Sequence, residues 1–200
     1  MLVAVQSVES RACSPPSGNT PTPTTPGSTS PATVFTTEDG VRFVVATVAS
    51  NLQVPWSMAF GPDGRLFLTE RPGRVRILNL AAGSSDLALT LDDVFADGEA
   101  GLLGLALDPD FAQTRLVYLY YSARLSGGSV VNRIVRYREV ASRLAERAVL
   151  LDSIPAASIH AGGRLRFSPD GLLFATTGDA ANSNLAQDLA SMAGAPPDEG

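Results

Sequence analysis

Two stretches, FGPDGRLFLTE at Phe60–Glu70 and FSPDGLLFATTG at Phe167–Gly178, follow one plan: an aromatic residue, a Pro-Asp-Gly turn, then an alternating apolar run. Proline presets φ, aspartate hydrogen-bonds its own backbone two residues on, and glycine enters the left-handed region without steric cost. LDPDFAQTRLVYLYYS at Leu107–Ser122 is a longer version of the same unit. The prolines Pro62, Pro109 and Pro169 lie 47 and 60 residues apart. A turn-and-strand unit that returns every 40–50 residues or so, with several strands per period, is the signature of propeller blades. The expected fold class is therefore all-β, a β-propeller.

The rest of the chain from about Thr36 has the same texture. Arg42–Val48, Arg65–Glu70, Arg74–Leu80, Arg115–Ser122 and Val130–Arg138 alternate apolar and polar residues and read as strands. Glu139–Leu151 is ambiguous, because Val140, Leu144, Ala148 and Leu151 stand near helical spacing. Its place in the repeat calls for a hairpin, which is the expectation adopted. Setting aside a tail of about 35 residues leaves room for roughly three blades, whereas rings close with about four to eight. The chain thus reads as part of a longer propeller whose end blades expose apolar faces, poorly soluble and catalytically silent by itself.

Composition narrows the function. The 200 residues carry 15 basic and 20 acidic side chains, a net charge of −5, and every basic residue is arginine. A chain that tracks nucleic-acid phosphates carries a basic surplus, so no nucleic-acid partner is expected. No apolar run reaches the ~20 residues of a membrane-spanning helix. One cysteine, Cys13, and one histidine, His160, exclude an internal disulfide framework and a cysteine- or histidine-built metal centre.

Residues 14–37 hold six of the 14 prolines, many Ser and Thr, and no charge. Such a segment buries too little apolar surface to offset its ordering entropy, so residues 1–37 are assigned to an export-signal remnant and a disordered Thr/Pro-rich linker. Cys13 is a candidate lipid anchor. The compartment expected is outside the inner membrane, periplasmic or extracellular. Residues 38–194 form the partial propeller, and 195–200 follow it.

The chemistry concentrates in SIHAGGRLRFSPDGLLFATTGDA, Ser158–Ala180. His160 precedes two glycines at the mouth of a strand, where a ligand can approach the backbone closely. A neutral imidazole can take a proton from a hydroxyl. A histidine merely hydrogen-bonded beside a loop fits the same spacing.

Four blocks in order resemble the soluble quinoprotein glucose/sorbosone dehydrogenases, the aldose sugar dehydrogenases that use pyrroloquinoline quinone (PQQ). They are Asn51–Leu78, Gly98–Phe111, Ile159–Asp179 and Ala186–Asp188. The resemblance implies a six-bladed propeller that oxidises the anomeric carbon of an aldose to a lactone. It implies PQQ and calcium as cofactors and an external electron acceptor, with the residues binding both cofactors mostly outside this chain. His160 then takes the place of the general base. Glu99 stands where a glutamine near sugar and quinone is usual, and Ile159 where glucose-oxidising members carry an aspartate, so strict glucose selectivity is not implied. Arg164, Asp179 and Asn184, with Asn182, fall where members contact substrate or cofactor. No metal-ligating residue is assigned. Two other readings of the scaffold are an extracellular binding propeller without catalysis and a calcium-dependent sugar lactonase. His160 favours the dehydrogenase over the first and the block order favours it over the second.

Several residues also carry plain structural readings. Glu99 can be a solvated acid beside Asp92, Asp93 and Asp97, and Trp56 reads as blade-packing core. Glu70 and Arg71 read as an ion pair linking blades. Arg133, Arg136 and Arg138 read as a solvated or inter-blade face.

Overall fold

A computed structural model describes residues 2–7 and 34–186. The chain divides into two compact units, Met1–Leu52 with Asn79–Ser84, and Gln53–Leu78 with Ser85–Gly200. In the first unit, β1 (Leu2–Ser7) and β2 (Val34–Thr36) flank β3 (Arg42–Ala49), all antiparallel. Phe35 lies opposite Phe43 in that register, and their rings stack 5.4 Å apart. The segment read as an export remnant thus contributes a strand, and β2 occupies the last residues of the stretch read as linker. Cys13, most of the linker and residues 195–200 lie outside the described residues.

The second unit is a partial propeller. Its first sheet is the meander β4 (Pro55–Phe60), β5 (Leu66–Glu70), β6 (Arg74–Asn79) and β7 (Ser84–Thr90). Its second sheet is β8 (Leu102–Leu107), β9 (Leu116–Arg124), β10 (Val130–Val140) and β11 (Arg143–Pro155). A hairpin of β12 (Leu165–Phe167) and β13 (Leu173–Ala175) opens a third. Among the described residues two four-stranded sheets are complete and this hairpin represents the third, in keeping with the expected three blades.

The three Pro-Asp units prove to be one structure. Gly61 N–H donates to the Arg65 carbonyl and Ser168 N–H to that of Leu172, closing identical short turns. In the longer unit Asp108 N–H reaches the Leu116 carbonyl across a single helical turn, α1 (Phe111–Thr114). The residue before the acceptor has positive φ each time: Gly64 at 79°, Gly171 at 87° and Arg115 at 57°. Arginine tolerates this position here because its guanidinium pairs with Asp63 at 3.5 Å and with the Glu139 carboxylate.

Strand periodicity explains the layering. On β9, Val117, Leu119 and Tyr121 join a core shared with Phe67, Val75 and Ile77 of the first sheet. Tyr120, from the opposite face, joins Leu103, Ile134, Ile154 and Leu165 in a second core. Successive side chains point to opposite faces, so a sheet buried on both faces gives a continuous apolar run such as Leu116–Tyr121. Phe111 of α1 packs edge-on against Phe67 at 5.2 Å.

The outermost faces differ. On β4, Ser57 is buried and Ala59 packs inward, while Trp56, Met58 and Phe60 are 47%, 55% and 66% exposed. Leu172 and Phe174 beside the last hairpin are similarly open. Trp56 is therefore not core. It lies on the face of β4 that is turned away from the buried cluster.

The ambiguous segment is a hairpin. Val140 pairs with Arg143 across Ala141 and Ser142, whose φ values of 48° and 62° define a two-residue turn of the type that matches strand twist. Buried Glu139 closes it by accepting Ser142 N–H at 2.8 Å.

Glu70 is fully buried and pairs with Arg74 at 2.9 Å and Arg76 at 2.8 Å, and it accepts Gln53 N–H at 2.5 Å. The Glu70–Arg71 pair read from the sequence does not form. Arg71 instead donates to the carbonyls of Gly98 and Ala100. Arg133 bridges Asp93 and Asp152, and Arg138 pairs with Glu146. Among the described residues the buried Nε of Arg136 has no hydrogen-bond partner.

Candidate active site

The loop between β11 and β12 carries His160 and is pinned from the core of the second sheet. The Tyr120 hydroxyl donates to the Ala161 carbonyl at 3.0 Å, and Asn132 Nδ2 reaches the same oxygen at 3.5 Å. Asn132 is held in turn by Ser122 and by the Pro155 carbonyl. Burial pushes the Tyr120 phenol well above its ordinary range, so it stays a protonated donor. Downstream, Gly163 N–H bonds the Thr176 carbonyl and Arg164 N–H bonds Thr176 Oγ1.

His160 itself adopts φ = 56°. That left-handed conformation costs a non-glycine residue about 1 kcal/mol or more and persists where neighbours over-determine it. Three neighbours do so. Its N–H donates to Glu99 Oε2 at 2.7 Å. Its Nδ1 lies 2.8 Å from Asp179 Oδ1. Its carbonyl packs against Gly178, where a Cβ atom would lie 1.7 Å from the oxygen.

The imidazole is 56% exposed while Asp179 is mostly covered. Asp179 Oδ1 also accepts Ala181 N–H at 3.1 Å, and the Asp179 carbonyl accepts Asn182 N–H. A carboxylate oxygen 2.8 Å from Nδ1 suits the tautomer with the proton on that nitrogen. In the neutral imidazole Nε2 is then the nitrogen with the lone pair.

Of the residues singled out from the sequence, the structure brings His160, Glu99 and Asp179 together. It does not bring Arg164 or Asn184 into hydrogen-bond contact with them. Arg164 is exposed, and among the described residues its guanidinium has no partner. It borders a groove of about 620 Å³ between β4, β8 and β12, together with Met58, Phe60, Asp108 and Phe167. Asn182 and Asn184 bond to each other, Asn184 N–H to Asn182 Oδ1 at 3.2 Å. Arg71 and Tyr120, which shape the site from behind, were missed. A buried tyrosine facing a loop carbonyl leaves no mark in the strand pattern. Among the described residues no three His, Cys, Asp or Glu side chains converge to hold a metal ion.

This partial propeller is similar to proteins of one known family. The Glucose / Sorbosone dehydrogenase family matches residues 52–196. The chain is 33% identical over 155 residues to aldose sugar dehydrogenase YliI of Escherichia coli (strain K12), covering 75% of this chain and 42% of that protein. A Thermus thermophilus oxidoreductase described as a glucose dehydrogenase superposes with a TM-score of 0.66 at 44% identity, covering 72% and 43%. The PQQ-bound aldose sugar dehydrogenase of Streptomyces coelicolor superposes equally well at 31% identity, covering 79% and 45%. The chain belongs to the glucose/sorbosone dehydrogenase family. It spans less than half the length of each of these relatives.

Proposed function

We propose that this chain carries the proton-accepting half of a PQQ-dependent sugar dehydrogenase that oxidises the anomeric carbon of an aldose to a lactone. The observation that carries the reading is the clamped, outward-facing imidazole of His160 with Asp179 on its inner nitrogen. A general base must lie within hydrogen-bond reach of the proton it takes, with its lone pair free. His160 Nε2 meets that requirement for an anomeric hydroxyl presented from solvent. The proton goes to Nε2, the electron pair of the O–H bond forms the new C=O, and hydride leaves C1. Asp179 stabilises the imidazolium so formed.

The residues described fit one side of a quinone tricarboxylate. Gly162 and Gly163 are packed against Thr176, Thr177, Leu103 and Tyr120 and leave no space for a ligand, whereas Arg164, exposed and without a guanidinium partner among the described residues, would hold a carboxylate. When bound, PQQ supplies the two-electron acceptor. The described residues offer no converging set of carboxylates to hold a calcium ion. Glu99 and Asn184 border the sugar side in this reading, and an external acceptor reoxidises the enzyme. Export is supported by the Thr/Pro-rich segment, with Cys13 a proposed lipid anchor. No described helix is long and apolar enough to cross a membrane.

The test is dye-linked oxidation of an aldose panel by the protein as expressed from its own gene and loaded with PQQ. Free aldoses should turn over and methyl glycosides, lacking the anomeric hydroxyl, should not. No turnover with any aldose, or equal turnover of the glycosides, would overturn the assignment.

A further inference from the structure

We propose that Glu99 is a positioning residue: its carboxylate holds the backbone of His160 in the left-handed conformation that aims the imidazole. This rests on the base role of His160 proposed above. The two segments are tied in both directions. Glu99 N–H donates to the Ser158 carbonyl at 2.7 Å, and Glu99 Oε2 accepts His160 N–H at 2.7 Å. The clasp spans 61 residues of sequence and closes the base loop onto the loop before β8.

That second loop is itself rigid. Arg71 donates through Nη1 to the carbonyls of Gly98 and Ala100, and Leu102 N–H returns to the Arg71 carbonyl at 2.8 Å. Ala100 is fully buried, and its N–H bonds the Asp97 carbonyl. Arg71 makes no ion pair among the described residues. Its guanidinium ties down the residues on either side of Glu99. A carboxylate on so fixed a backbone is a defined anchor, and an ionised acceptor makes a stronger bond to an N–H than an amide oxygen does.

The consequence is geometric. Without an acceptor, the His160 N–H turns to water, and the cost of its positive φ drives the residue toward ordinary backbone angles. The imidazole then swings off Asp179. A 1 Å displacement of a reacting group can cost up to about 10²-fold in rate.

¹⁵N-histidine labelling, with the His160 resonance assigned by its loss in His160→Ala, reports this amide directly. In Glu99→Ala and Glu99→Leu that amide proton should move upfield and exchange with solvent faster. Their kcat should drop roughly tenfold to 10²-fold with little change in KM. Glu99→Gln, which keeps an acceptor oxygen at the same reach, should retain most of both signals. An amide resonance unmoved by Glu99→Ala and Glu99→Leu would overturn the proposal, as would equal behaviour of the Gln and Leu variants. A shifted amide with unchanged kcat also overturns it, provided His160→Ala abolishes turnover. Turnover that survives His160→Ala sinks the base role instead, while the amide shift still reports whether the clasp exists.

Discussion

The carbonyl oxygen of His160 sits where a side chain on Gly178 would have to be, 1.7 Å from the position of its Cβ. His160 and the strand that precedes Gly178 are therefore locked by the absence of a single methyl group. Gly178→Ala must push the His160 backbone away, because the obstructing atom is main chain and cannot rotate aside. We expect kcat to fall by about 10²-fold. The fold should survive, since the cores of both complete sheets lie elsewhere. Circular dichroism alongside steady-state kinetics checks both halves of this prediction.

In the proposed mechanism Asp179, 2.8 Å from His160 Nδ1, fixes the tautomer and balances the imidazolium. Asp179→Asn keeps an oxygen for Ala181 N–H but removes the negative charge. We expect kcat to decline by about 10²-fold or more with KM little changed. A variant that binds sugar poorly yet turns over at full speed would place Asp179 on the substrate instead of behind the base.

Glu139 ties two turns together by pairing with Arg65 at 3.2 Å and with Arg115, while its side chain is only 1% exposed. Burial pushes its carboxyl up, but Arg65, Ser142 N–H and Arg115 outweigh this and hold it below the ordinary value of 4.5. Glu70 and Asp63 are lowered in the same manner by their arginines. The unfolded chain then binds protons more readily than the folded one. This stability is fully present above about pH 4.5 and is lost as pH falls through the lower folded values. Glu139→Gln should flatten the acid limb of a melting-temperature profile and cost about 3 kcal/mol at pH 7, since two arginines lose their buried partner. An unchanged acid limb would remove Glu139 from the account.

The turn between β10 and β11 places Ala141 at φ = 48°, where asparagine is tolerated far better. Ala141→Asn should therefore stabilise the protein by up to about 1 kcal/mol. Thermal unfolding reads the gain, and a loss of stability would mean the side chain meets an obstruction at this turn.

Much of this molecule is legible in its sequence because blades repeat. The Pro-Asp turns announce themselves at Pro62, Pro109 and Pro169, and the alternating runs become β3, β5, β6, β9 and β10. Pairing within the repeat was harder to read. Glu70 and Arg71 are neighbours in sequence, but successive strand residues point to opposite faces. The register sets Glu70 opposite Arg74, and Glu70 pairs with that arginine and with Arg76 two residues further on. The helical turn α1 was hidden because Asp110 makes no side-chain cap to announce it. At the site, the His-x-Gly-Gly run gave His160, and resemblance gave Glu99 and Asp179. The left-handed backbone of His160 and the contact with Glu99 depend on chain segments far apart, which no local pattern encodes.

The central claim is that His160 Nε2 accepts the proton as the sugar is oxidised. Its most direct test is a single turnover: PQQ-loaded protein, wild type or His160→Ala, is mixed rapidly with aldose and the absorbance of the quinone is followed. Our account requires equal cofactor loading in the two proteins and a reduction rate lower by about 10²- to 10⁴-fold in the variant. Equal rates of reduction would contradict it.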